Sequence, residues 1–439
     1  MSREVDRTGP VGTIRVATSP PGDPGMRKNP AMTMISLDYG ISERWEGDVP
    51  SDRLVYVHHG PQALNNPLAN IQDALQHPLE YPALELAMVP DDHVVIVLDR
   101  NVPSAAEIIS AAWSSMASAG IDPGNVLILQ PASINVGQLP DPRRLLAENA
   151  RDHISWKIHD PTVENGTGYL ASSAAGERLY LSREVLEADF VLPIGRFGFD
   201  AMLGRRELTS AFYPGLSTPD AFAKAIGQGH QELGPDDERP LRQLVNEVAW
   251  LLGIQFAIQV LPSSNHGGMA AVLAGNTDRV AEQGRNLLDK SWRVTLDQRG
   301  ETALIAIPRS GDETSWTELG SALDAAQKLV VRGGRIIVLS DLAAPPGPGI
   351  DLIRNCRSAK AALQPLRKTV PPDLLPATQI ASAADWASIY LLSKLDGQIV
   401  EEAFMTPLEN EREATRLLES CDGCVVLAGA QHVYSEIRE

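Results

Sequence analysis

The chain has 439 residues, enough at ~150 residues per domain for two or three folding units with sizeable cores. It carries 38 Lys plus Arg against 56 Asp plus Glu, a formal net charge of -18. That balance argues against a nucleic-acid binder or a partner for anionic membranes, both of which need a basic surface, and no apolar run approaches the ~20 residues that span a bilayer.

Hydrophobic residues make up 43% and aromatics 5%, the composition expected of a soluble α/β protein. Three cysteines, Cys356, Cys421 and Cys424, are too few for a disulfide framework, so a cytoplasmic location is expected. Residues 1–31, with Pro10, Pro20, Pro21, Pro24 and Pro30, read as a disordered tail. Met32 or Met34, ahead of Ile35 and Leu37, are alternative starts of translation.

Beyond the tail, runs of branched residues alternate with helical stretches, the pattern of βα units and mostly parallel sheets. Strands are expected from His93 to Leu98, Val126 to Leu129 and Phe190 to Ile194. Ser104 and Glu107 have capping-box spacing ahead of a helix that carries Ile108, Ile109, Ala112, Trp113 and Met116 on one face and closes at Gly120. A helix over Arg239 to Leu252 and a hairpin over Ile254 to Leu261 and Ala270 to Leu273 follow. The pattern restarts near Asn276: a helix to about Leu288, a strand at Ala303 to Ile307, and a helix capped by Gly333-Gly334 before a strand at Ile336 to Leu339. Later strands are expected at Ile389 to Leu392 and Val425 to Leu427. The expected organisation is two α/β domains, 32–275 and 276–439, with a cleft between them and the last residues free to pack back on the first.

Several stretches together resemble the nickel-dependent lactate racemase family. They are Leu37-Asp38-Tyr39-Gly40; the strand end Asp99-Arg100-Asn101-Val102-Pro103; His159-Asp160; Tyr180 to Val185 with Ala188-Asp189; the glycine-rich run from Ile194-Gly195 to Tyr213-Pro214-Gly215; Gly275-Asn276; and Gly333-Gly334. The resemblance implies a two-domain α/β protein in which a nickel pincer nucleotide takes a hydride from a 2-hydroxy acid between two general bases. Several functional positions of that pattern differ here. Arg183 stands where the pincer-anchoring lysine is expected, Asp200 at the nickel histidine, and Val102 at a substrate arginine. The segment 131–135 lacks the other catalytic histidine, and a second-domain Gln and Lys pair falls near Thr317 and Gly320. Asp99, Pro103, His159 and Asp160 fit. An arginine stays protonated and is a poor substitute for an acylated amine, while an aspartate offers nickel oxygen in place of imidazole nitrogen.

Candidate catalytic residues are therefore His159, Asp99 and Asp160, and candidate cofactor contacts are Arg183, Asp200 and Pro103; no metal ligand set is assigned and the cofactor is left open. His159 reads equally as a structurally bonded loop histidine, Asp99 as a helix-entry residue, and the loop of Asp200, Arg205 and Arg206 as solvated surface. Cys421-x-x-Cys424, with His432 downstream, follows a helix over Glu411 to Leu418 and leads into a strand, which favours ordinary turn cysteines over a redox or zinc site. His58-His59 reads as a strand end and Asn265-His266 as turn chemistry. Two functions remain open. One is a divergent racemase or epimerase for a 2-hydroxy acid or sugar acid, not lactate itself; the other is a non-catalytic homologue that binds a small acid or a protein in the cleft.

Overall fold

In the computed structural model, which describes residues 31–131, 140–227, 233–309 and 314–438, two six-stranded sheets organise the chain. The expected tail falls outside the described residues, apart from Ala31. The first sheet runs in the order Met269–Asn276, Phe256–Pro262, Phe190–Arg196, Val94–Leu98, Val126–Gln130, Ser155–Ile158. All its pairings are parallel except the edge hairpin of Phe256–Pro262 with Met269–Asn276. Val94–Leu98 is buried at every residue. Alternate side chains leave opposite faces of a strand, so Val94, Ile96 and Leu98 enter a core with the helices Pro67–Gln76 and Ala105–Ser118. Val95 and Val97 enter a second core, with Pro219–Ile226 and Pro240–Leu251. A strand covered on both sides must be apolar throughout, and that is why it is legible as an unbroken run.

The second sheet, parallel throughout, has the order Thr406–Leu408, Ser388–Leu392, Val330–Leu339, Gly300–Ala306, Cys424–Ala428, Leu54–His58. One face packs on the helices Thr277–Trp292, Trp316–Leu329 and Leu374–Trp386. The other is covered by the hairpin Met32–Tyr39 and Glu43–Pro50 together with Glu411–Glu419. The restart at Asn276 is a true helix entry: its side chain accepts from the amides of Asp278 and Arg279. Among the described residues, no helix is long and apolar enough to cross a membrane.

Three local expectations are corrected. Ser104 does sit at the helix entry, but in the left-handed region at φ 55, and its side chain makes no capping bond, so the expected capping box with Glu107 is absent. Gly333-Gly334 is not a helix cap; the helix ends at Leu329 and the pair lies inside Val330–Leu339, where Gly333 at φ 79 lets four residues bulge between the pairings of Val330 and Arg335. Residues 32–58, expected with the first domain, differ in partner. Ile35, Leu37 and Trp45 pack against Leu304 and Ile337, and Leu54–His58 pairs with Cys424–Ala428. At the other end, the ring of Tyr434 lies 5.2 Å from that of Phe199.

Candidate functional site

The C-terminal ends of first-sheet strands face the start of the helix Trp316–Leu329 across a cavity of about 370 Å³. Such strand ends release the chain into loops, where side chains can converge on a ligand. From the first sheet come Arg100, Pro131 and Arg196, and from the loop after Phe190–Arg196 come Phe199, Asp200, Met202 and Arg206. From the other side come Ser315, Thr317, Glu318, Gln379 and His432.

Most of the cations here are spoken for. Arg206 donates from Nε to Asp99 Oδ2 at 2.7 Å and from Nη2 to Oδ1 at 2.5 Å, and lies 3.7 Å from Asp200. Arg239 donates to the carbonyls of Leu233, Gly234 and Asp237, Arg100 to Pro131 O at 2.9 Å, and Lys328 to Asp324 at 2.8 Å. Arg196 differs. Among the described residues its buried Nε has no hydrogen-bond partner and no ion pair involves it. Burial and the neighbouring Arg206 charge draw its guanidinium below the ordinary value, with Asp99, Glu318 and Asp200 pulling the other way.

Glu318 is the third residue of its helix and closes a capping box with Ser315, whose amide donates to Glu318 Oε2 at 2.9 Å. Burial pushes its carboxyl up, against the Ser315 bonds and the Arg196 charge. His432 rests edge-on against Trp292 at 5.1 Å. Burial, with the Arg196 charge added, pulls its imidazole down to about 3, so it is neutral at working pH. Gln379 is buried, and its Oε1 has no hydrogen-bond partner among the described residues. Arg196, Glu318 and Gln379 are not among the residues singled out from sequence. Two signals were available: a basic residue directly after a buried strand at Ile194-Gly195-Arg196, and the capping-box spacing of Ser315 and Glu318.

Of the residues singled out from sequence, Asp200 lines the cavity. Its Oδ1 accepts from the amides of Met202 and Leu203, at 2.8 and 3.0 Å, and so shapes its own turn. Asp99, 3% exposed, lies behind Arg206. Burial pushes its carboxyl up, but the charge and hydrogen bonds of Arg206 outweigh this and hold it below the usual carboxylate range. His159 is buried and not among the cavity's lining residues; its Nε2 bonds Ser217 O at 2.9 Å. Asp160 caps the next turn through the amide and hydroxyl of Thr162. Pro103 is buried away from the cavity. Arg183, half exposed, donates to Asn165 O at 2.7 Å and pairs with Glu187. The loop read as solvated surface is an ion-pair hub, in which Arg205 meets Asp236 and Asp289, and Glu207 meets Arg242 and Arg285.

The pincer nucleotide implied by the resemblance does not fit these residues. Position 183 holds a guanidinium engaged with a carbonyl outside the cavity lining. The Asp200 carboxylate is engaged by two amides and Arg206. Val102 is sealed in the first-sheet core. At Gly320 a Cβ would fall 2.8 Å from Gln379 Oε1 and 2.9 Å from Pro376 Cα, leaving no room for a lysine. Among the described residues, no three His, Cys, Asp or Glu side chains are grouped to hold a metal. The segment expected to hold the other catalytic histidine lies outside the described residues, except for Pro131.

Cys421 and Cys424 are buried, with Cys424–Ala428 beginning a strand as expected. A hydrogen bond from the Cys424 thiol, helped by Arg335 and Arg53, brings Cys421 down to about 7 and raises Cys424 in turn.

Residues 42–231 match the lactate racemase N-terminal domain family. In fold, the chain is similar to the lactate racemase apoprotein of Thermoanaerobacterium thermosaccharolyticum, with a TM-score of 0.70 at 16% identity over 93% of this chain and 100% of that one. It is also similar to a protein from Thermotoga maritima, with a TM-score of 0.60 at 12% identity over 86% of this chain and 100% of the other. No curated protein matches the chain in sequence. The chain is therefore lactate racemase-like: residues 42–231 match the N-terminal domain of that family, and the fold is similar to that of the racemase apoprotein over 93% of its length.

Proposed function

We propose that the protein takes a small carboxylic acid, a 2-hydroxy acid or sugar acid, into the cleft between its two sheets as a divergent racemase- or epimerase-type protein, and that it does not racemise lactate. The observation that carries this reading is Arg196, a cavity-lining guanidinium for which no ion pair is found among the described residues and whose buried Nε has no hydrogen-bond partner among them. A desolvated cation costs free energy unless a counter-charge arrives, and a carboxylate matches the guanidinium fork through two parallel hydrogen bonds. Glu318, buried and shifted toward its protonated form, is the acid/base group that supports an isomerase over a mere binder. His159 takes a supporting role in this reading, because its ring nitrogen already bonds Ser217.

Non-catalytic binding of an acid is the second reading, favoured by the commitment of Asp99 to Arg206. Titration calorimetry of the full chain with a panel of hydroxy and sugar acids, repeated on Arg196→Gln, tests the binding step. Binding that is lost in the variant supports it, and equal binding by both proteins refutes it. Chiral chromatography of the bound acid, with and without Glu318→Gln, then separates an isomerase from a binder.

A further inference from the structure

The cavity that offers the Arg196 guanidinium, which has no ion-pair partner among the described residues, also offers a wall with nothing polar to give. The helix Pro219–Ile226 turns Phe222, Ala225 and Ile226 toward it. Their i, i+3, i+4 spacing puts them on a single face. Met202 and Leu233 extend the same lining. From this juxtaposition we infer that the ligand is an amphipathic acid, with one carboxylate for Arg196 and an aryl or branched-alkyl tail for the wall of Phe222, Ile226 and Met202. The inference rests on the acid-binding reading above and narrows it.

Size and solvation both point this way. Lactate has a methyl group for a tail and would fill a small part of about 370 Å³, leaving the apolar wall wet. A sugar acid fills more space, but any hydroxyl that it turns toward Phe222, Ile226 or Met202 meets a side chain that can neither donate nor accept. Each hydroxyl stripped of water without a partner weakens binding roughly ten-fold. A tail that removes about 100 Å² of apolar surface from water strengthens binding by about 70-fold. The other cavity cations do not argue for a second anionic group on the ligand, because Arg100, Arg206, Arg239 and Lys328 already have acceptors.

The test uses the full chain and four probes: lactate, gluconate, phenyllactate and 2-hydroxy-4-methylpentanoate, each titrated calorimetrically. The two tailed acids should bind at least ten-fold more tightly than lactate and gluconate. Phe222→Asn should narrow that ratio, with Ile226→Asn as a second variant on the same wall should the first fail to fold. Arg196→Gln should abolish binding of the tailed acids. Gluconate or lactate binding as tightly as the tailed acids overturns the inference and leaves the acid-binding reading standing. Tight binding of the tailed acids that survives Arg196→Gln overturns both, as does the absence of binding by any of the four.

Discussion

Replacing Asp99 by Asn tests whether this carboxylate holds the fold or serves the ligand. In the wild type both of its oxygens accept from Arg206, and Oδ1 also accepts the Arg100 amide at 2.7 Å. The asparagine keeps the shape and removes the charge. Among the described residues, Arg206 is then left in a buried setting with Asp200 at 3.7 Å as its counter-charge, beside the like charge of Arg196. Breaking one side of a buried pair destabilises by about 3–5 kcal/mol, and the amide's remaining hydrogen bonds place this variant near 3 kcal/mol. Unfolding entropy is about 2.1 cal/mol/K per residue. If the whole chain melts as one unit, the drop in melting temperature is about 3 °C; if the roughly 200 residues around the first sheet melt alone, it is about 7 °C. The sign of the pH dependence is fixed by the depressed folded-state pKa of Asp99. Its ionised form stabilises the fold fully above the unfolded value near 4, and the contribution is lost as pH falls through the folded value. Calorimetry at pH 7 should therefore resolve the two proteins, and the gap should close under acid. An Asp99→Asn protein as stable as wild type at pH 7, but unable to bind acids, would refute the structural role and return Asp99 to the site.

Wild-type protein produced alongside the enzymes that make the pincer nucleotide should show the unmodified intact mass and no stoichiometric nickel, because Arg183 and Asp200 are engaged elsewhere. Chiral chromatography should show no lactate turnover at ordinary enzyme rates. Gly320→Ala should destabilise by about 1–3 kcal/mol in a denaturant titration, since its new methyl must push against Gln379 and the backbone of Pro376. His432 is held neutral in the fold, near 3, while the unfolded chain binds its proton near 6.5, so stability falls as pH drops below 6.5. Between pH 7 and 5 wild type should lose about 2 kcal/mol more than His432→Gln, and equal losses would show that the imidazole is not buried neutral.

What the sequence revealed of the fold depended on whether a segment's partners were near or interchangeable. Val94–Leu98 and Ile336 to Leu339 declare themselves because burial on both faces leaves no polar position. The hairpin of Met32–Tyr39 and Glu43–Pro50 covers one face only, so exposed Met34 and Glu46 alternate with buried Ile35 and Trp45 and the segment carries no strong signal. Nothing local in Leu54–His58 says that it pairs with a strand some 370 residues later, and a division of the chain by sequence order puts it with its neighbours. Gly333-Gly334 misled for a related reason. A glycine pair between a helix and a strand has two conformational uses, and only the register of the neighbouring strand Gly300–Ala306 decides for the bulge.

The site obeyed the same logic more severely, because a functional side chain is defined by what it is not bonded to. Asp99 looks reactive from its position at a strand end, and Arg206, 107 residues away, decides otherwise. His159 is closed off by Ser217 O, 58 residues away. Arg196 gains its character by omission. The loop that follows supplies Asp200 and Arg206, yet Asp200 turns back on the amides of Met202 and Leu203, and Arg206 takes Asp99. Had Asp200 been free to swing to Arg196, the cleft would be internally neutralised and would have no reason to attract an acid. If the proposed acid-binding role holds, the aspartate at the position where the resemblance implies a nickel ligand does two things at once: it offers no imidazole to a metal, and, held in its own turn by the Met202 and Leu203 amides, it leaves the neighbouring guanidinium for a carboxylate from solution.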